Sequence, residues 1–168
     1  MQMMTYMRYH RRVIYPGVNV MKTSVVVVAS CLTLLSLTAN AQFLKSKEAQ
    51  DYRHHGMEFI GDNLKRMGHM VKGEQPYDKE AFIKYANLLK TLAPLPFEAF
   101  YKGTEGGDAK DEVFSDPEGF NKAKDKMLVA VDRLAAEAPS GDMKKIKVAF
   151  GGVGQSCKAC HDNYRKDD

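Results

Sequence analysis

The sequence predicts an all-α protein, an antiparallel up-down four-helix bundle. Two observations carry this. Past Phe43 no stretch alternates apolar and polar residues as a half-buried strand would, whereas four segments repeat apolar residues every three or four positions. Proline, glycine and short capping residues separate those segments, and most of the joining loops are short, which favours antiparallel neighbours.

The first helix is expected to start near Ser46 as N-cap, to carry Ala49, Tyr52, Gly56, Ile60, Leu64, Met67 and Met70 or Val71 on one stripe, and to end at Lys72-Gly73. Asp78 caps the second, which runs through Phe82, Tyr85, Leu88, Leu89 and Leu92 until Pro94 and Pro96 stop or kink it. A glycine-rich loop follows from Lys102 to about Asp111. Ser115-Asp116-Pro117-Glu118 then gives an N-cap, a proline at the first helical position and an acid in the first turn, opening a third helix with Phe120, Ala123, Met127, Ala130 or Val131, and Leu134 inward. The fourth starts between Ser140 and Asp142 and presents Met143, Ile146, Ala149 or Phe150, Val153, Cys157, Cys160 and Tyr164. Each helix is expected to run for about twenty residues, a length usual for such bundles.

Residues 1–41 stand apart from that domain. They contain no acidic residue, place Arg8, Arg11, Arg12 and Lys22 before an apolar run from Val25 to Leu37, and end in Ala39-Asn40-Ala41. This is the order of a secretory signal peptide with cleavage after Ala41, and Met21-Lys22 supplies a second start for the same signal. The apolar run is too short for a membrane anchor, which needs about 20 residues. Domain boundaries are therefore placed at 1–41 for the signal and 42–168 for the bundle. Of 25 basic and 21 acidic residues, the signal removes four basic ones, leaving 21 of each and no formal charge. The basic pI thus gives no argument for nucleic-acid binding. Cys31 leaves too, so the mature domain keeps only Cys157 and Cys160.

Cys157-Lys158-Ala159-Cys160-His161 has the spacing of c-type haem attachment. Residues three apart share a helix face, so both sulfurs can reach the vinyl groups of one porphyrin, and the following histidine can turn its imidazole to the iron. A zinc site would need further ligands, and no second cysteine pair or spaced histidine pair supplies them. A thioredoxin-like pair should open a helix beside a βαβ unit, whereas this one closes the last helix. Only seven residues follow His161, so a sixth iron ligand must come from another helix. Gly151, Gly152 and Gly154 precede the motif, either as an irregular turn or as room for a flat macrocycle against the helix backbone. His55 and His69 have no partner at metal spacing and read as surface residues.

The block Phe150-Gly151-Gly152-Val153-Gly154-Gln155-Ser156-Cys157-Lys158-Ala159-Cys160-His161-Asp162-Asn163-Tyr164-Arg165 closely resembles the cytochrome c′ family, the class II c-type cytochromes. Tyr52-Arg53, Val71-Lys72-Gly73 through Pro76-Tyr77-Asp78, and Gly103 to Ala109 extend the likeness across the mature chain. The resemblance implies a left-handed four-helix bundle, a homodimer, and one haem c bound through Cys157 and Cys160 with His161 on the iron. It places Arg53 near the haem propionates, with His54 in a neighbouring position where many members have glutamine. Asp108 falls at a loop position near the haem edge, and Arg165 beside the proximal histidine. Met57 matches the distal position, where an apolar side chain covers the sixth site.

The expected function is that of a periplasmic haem protein with five-coordinate, high-spin iron. It would bind diatomic gases, nitric oxide or carbon monoxide, carry electrons for periplasmic redox partners, or do both, and it would not be an enzyme. An apolar distal pocket admits such gases and offers bound dioxygen no donor. Three alternatives stand beside it: a low-spin electron carrier with Met57 and His161 both on the iron, a peroxidase-like or nitric-oxide-reducing enzyme for which His54 is the only nearby base, and a passive haem-loaded scaffold.

Overall fold

Helix α1, Ser46–Lys72, is the longest of the bundle at 27 residues. Its N-cap is Lys45 rather than Ser46, and the Ser46 hydroxyl instead accepts from Gln50 Nε2 at 3.0 Å. At the other end Gly73 takes the left-handed conformation and donates to the carbonyls of His69 and Met70. The computed structural model describes Phe43 and residues 45–167, within a compact unit spanning Ala41–Asp168. The expected signal peptide, with Cys31 and the alternative start at Met21, lies outside the described residues.

Helix α2, Lys79–Leu92, is capped as expected by Asp78, whose carboxylate accepts from Ala81 N. It has 14 residues, short of the expected twenty, because Pro94 and Pro96 turn the chain into a 3-10 segment, Leu95–Ala99. A one-turn helix that the periodicity did not signal, α3 at Glu112–Ser115, precedes the expected helix start. Asp116 is the N-cap there, accepting from Gly119 N, with Pro117 opening α4, Pro117–Glu137, as the sequence leads one to expect. After a 3-10 turn at Ala138–Ser140, Asp142 accepts from Lys144 N and Lys145 N and starts α5, Met143–Tyr164. No strand forms among the described residues, only an isolated antiparallel bridge between Ala109 and Arg165.

Four long helices pack in a ring, α1 beside α2, α2 beside α4, α4 beside α5 and α5 beside α1. Their shared interior holds Met67, Phe82, Leu89, Leu134, Ile146, Val131 and Val153, all fully buried. Removing each such side chain from water contributes roughly 1.5–3 kcal/mol. A second, smaller cluster gathers at one end of the bundle from Ala109, Val113 and Phe120, with Phe97, Phe100, Phe114, Cys160 and Tyr164 against it. Its rings meet at centroid distances of 5.0–6.2 Å. Phe97 touches both clusters.

The 3-10 segment lies directly on α1. A Cβ built on Gly56 would sit 2.8 Å from Pro96 Cγ, so glycine is what lets the buried proline seat against the helix.

Candidate haem site

Helix α5 is continuous through Gly151, Gly152 and Gly154, which rules out the irregular turn considered for them. A Cβ at any of the three would meet no protein atom within 4 Å. The regular helix carries Cys157 and Cys160 onto one side, both half-buried and both free thiols. Cys157 packs on the large interior cluster and Cys160 on the aromatic one, so the two sulfurs straddle the seam between them.

Burial raises both thiols, and Cys160 is pushed up to about 11 by burial and the neighbouring Cys157. They are therefore neutral, apolar-sited sulfurs, a poor pair for thiolate redox chemistry and well placed for thioether links, which carry no charge. His161 is half-buried, and burial followed by the charge of Arg165 holds its imidazole below the ordinary value. A neutral ring keeps the nitrogen lone pair that a metal requires. The donor set thus fits a covalently held haem: Cys157 and Cys160 would hold the macrocycle and His161 its iron.

Met57, on α1, is half-buried and packs against the same large cluster as Cys157. Arg53, one turn earlier, is only 4 % exposed. Its Nη1 donates to the carbonyls of Ala99 (3.2 Å) and Thr104 (2.8 Å), and its Nη2 to that of Gly106 at 2.5 Å. The guanidinium also stacks over Phe100, 4.6 Å from the ring centroid. Burial lowers its pKa, while Asp108 and Glu105 act against the shift. Arg53 therefore clamps the loop that follows the 3-10 segment, a role the sequence did not reveal. Gly106 meets the clamp with φ at 102°, a backbone state that L side chains rarely adopt.

The structure brings His54 and Asp108 together: Nδ1 and Oδ2 are 2.7 Å apart. That hydrogen bond, more than the nearby charges, raises the imidazole above its ordinary value. Arg165 ends α5 and forms the bridge to Ala109, with Lys110 N donating to Tyr164 O (3.0 Å) and Lys166 N to Asp108 O (2.8 Å). Sequence reading missed Thr104, buried at 2 % exposure, whose hydroxyl donates to Ala99 O and Tyr101 O. It also missed the link from Tyr164 OH to Asp116 Oδ2 at 3.1 Å. The Tyr164–Asp116 pair has no local signal, being 48 residues apart, whereas the Thr104 partners lie only three and five residues upstream. His55, read as a surface residue with no partner at metal spacing, is exposed as expected but has Glu58 at 3.1 Å and His54 in edge contact.

A four-helix bundle that ends in a half-buried Cys-x-x-Cys-His defines a class, the helical c-type haem proteins with C-terminal attachment. The Cytochrome C' family model matches residues 48–165. Cytochrome c' of Alcaligenes xylosoxydans xylosoxydans is 43% identical over 125 residues, 74% of this chain and 98% of that protein. Cytochrome c' of Rubrivivax gelatinosus is 38% identical over 128 residues, 74% and 99% of the two chains. A solved nitric oxide complex of a cytochrome c prime variant from Alcaligenes xylosoxidans superposes with a TM-score of 0.73 at 42% identity, covering 75% of this chain and 99% of that one. The chain belongs to the cytochrome c′ family. As in that family, it binds one covalently attached haem c, and it is a haem protein of gas binding or electron transfer rather than an enzyme.

Proposed function

We propose that this chain is a periplasmic, homodimeric haem protein with five-coordinate, high-spin iron, held by His161 and joined through Cys157 and Cys160. It binds nitric oxide or carbon monoxide and exchanges electrons with periplasmic partners. The observation that carries this reading is the placement of Cys157, Cys160 and His161 on one half-buried helix face, with Met57 on the apolar cluster that Cys157 also touches. The haem, when bound, supplies a redox-active iron with one face open to a small ligand.

The protein's own residues set the rest. His161 offers a neutral imidazole, and the two clusters keep water from the sulfur links. Met57, flanked along its helix by Gly56 and Ile60, covers the open face with atoms that donate no hydrogen bond. Such a lining suits neutral diatomics and gives peroxide no general base. His54, the one candidate base, directs its ring nitrogens at Asp108 and Glu58. The nitric oxide complex of a relative supports the choice of ligand. Among the described residues no helix is long and apolar enough to cross a membrane. Phe59, 51 % exposed beside Tyr52, Leu92 and Leu95 in an apolar groove, supports the homodimer.

Absorption spectra of the ferrous holoprotein with and without carbon monoxide test the proposal. The Soret band is expected to shift on adding the gas. A six-coordinate spectrum indifferent to carbon monoxide would put Met57 on the iron and overturn gas binding.

A further inference from the structure

His54 and His55 leave α1 side by side, and Glu58 follows one turn later on the same exposed face. The Glu58 carboxylate faces both rings: Oε2 is 3.1 Å from His55 Nδ1, and Oε1 is 3.5 Å from His54 Nε2. One ligand atom from each residue can be chosen so that all three lie within 4.8 Å of one another. Ligands at about 2.0–2.1 Å in a tetrahedron stand roughly 3.3 Å apart, a spacing close to that which each ring nitrogen already has to one of the two Glu58 oxygens.

The second nitrogen of His54 gives an independent indication. Asp108, from the loop 54 residues away in sequence, holds Nδ1 at 2.7 Å. A carboxylate on one ring nitrogen fixes the proton there and turns the other lone pair outward, the arrangement that orients metal-ligating histidines. The charges acting on the ring are those of Glu58, Asp108 and Asp51, all negative. All three candidate ligands are exposed, leaving room for water as a fourth.

We propose that His54, His55 and Glu58 form a second metal site for a divalent first-row ion, with Asp108 as the positioning residue of His54. Imidazole with carboxylate suits zinc, copper and nickel, and zinc is the simplest probe. The three ligands all come from α1, and the loop reaches the site only through the Asp108 bond to His54.

The test is equilibrium dialysis of the mature holoprotein against zinc, read by atomic absorption, which does not depend on the haem reading. The wild type is expected to retain one zinc per chain. His55→Ala and Glu58→Gln should each weaken retention at least tenfold, and Asp108→Ala by about 10–100-fold. His69→Ala, which removes the other described histidine paired with a carboxylate, should change nothing. The proposal is overturned if the wild type takes up no zinc at saturation, or if His55→Ala and Glu58→Gln hold it as tightly as the wild type. Both substitutions are on an exposed helix face, so circular dichroism should confirm that each variant folds.

Discussion

Arg53 does with one side chain what a short loop cannot do with its own backbone. Three carbonyls, of Ala99, Thr104 and Gly106, end on its guanidinium. A lysine keeps the charge but not the planar fork. Arg53→Lys is therefore expected to cost about 2–3 kcal/mol in urea unfolding of the holoprotein, through carbonyls left without donors. The His54–Asp108 link makes a smaller, pH-dependent contribution. The folded imidazole is raised, so the stabilisation is present in full below its ordinary value of 6.5 and is lost as pH rises through the raised value. Because the ring is exposed, His54→Ala should cost under about 1 kcal/mol near pH 5 and almost nothing near pH 9. The motif residues were legible because their chemistry lies in consecutive positions. The Arg53 clamp was not, because its partners lie 46 to 53 residues downstream. His55 is the intermediate case: Glu58 is three positions on, and a helix brings that spacing to one face.

At the scale of helices, the sequence announced most of the ends. Asp78, Asp116 and Asp142 all accept from first-turn amides, and Gly73 closes α1. Each cap is a local competition between a side chain and its own backbone, so a few neighbouring residues decide it. The connection between α2 and α4 was less legible, because α3 and the 3-10 segment are shaped by what they lie against. Gly56 shows how. In an isolated helix, replacing it with alanine would gain about 1 kcal/mol. Here the new methyl group would meet Pro96, so Gly56→Ala is expected to lower stability by about 1–3 kcal/mol, measured as a fall in the urea midpoint with an unchanged slope.

For the whole molecule, the two apolar clusters meet where the sulfurs emerge, and a haem joined there as proposed would complete the core. Cys157→Ser with Cys160→Ser removes the covalent attachment while leaving His161 in place. The double variant is expected to lose about 4 kcal/mol or more, read as a fall of roughly 15 °C in Tm, because a ligand that binds only the folded state no longer holds it. An unchanged Tm would mean that the bundle folds independently of its haem.

The bridge between Ala109 and Arg165 is built from main-chain atoms: Lys110 N on Tyr164 O, and Lys166 N on Asp108 O. Such a clasp is indifferent to which side chains occupy it. Alanine at these positions would report only what each side chain does besides, such as the Tyr164 ring on Phe120 or the Asp108 carboxylate on His54, while a proline at 110 or 166 would undo one of its two fasteners. Side-chain substitution is therefore no measure here of how firmly this end of the helix is closed.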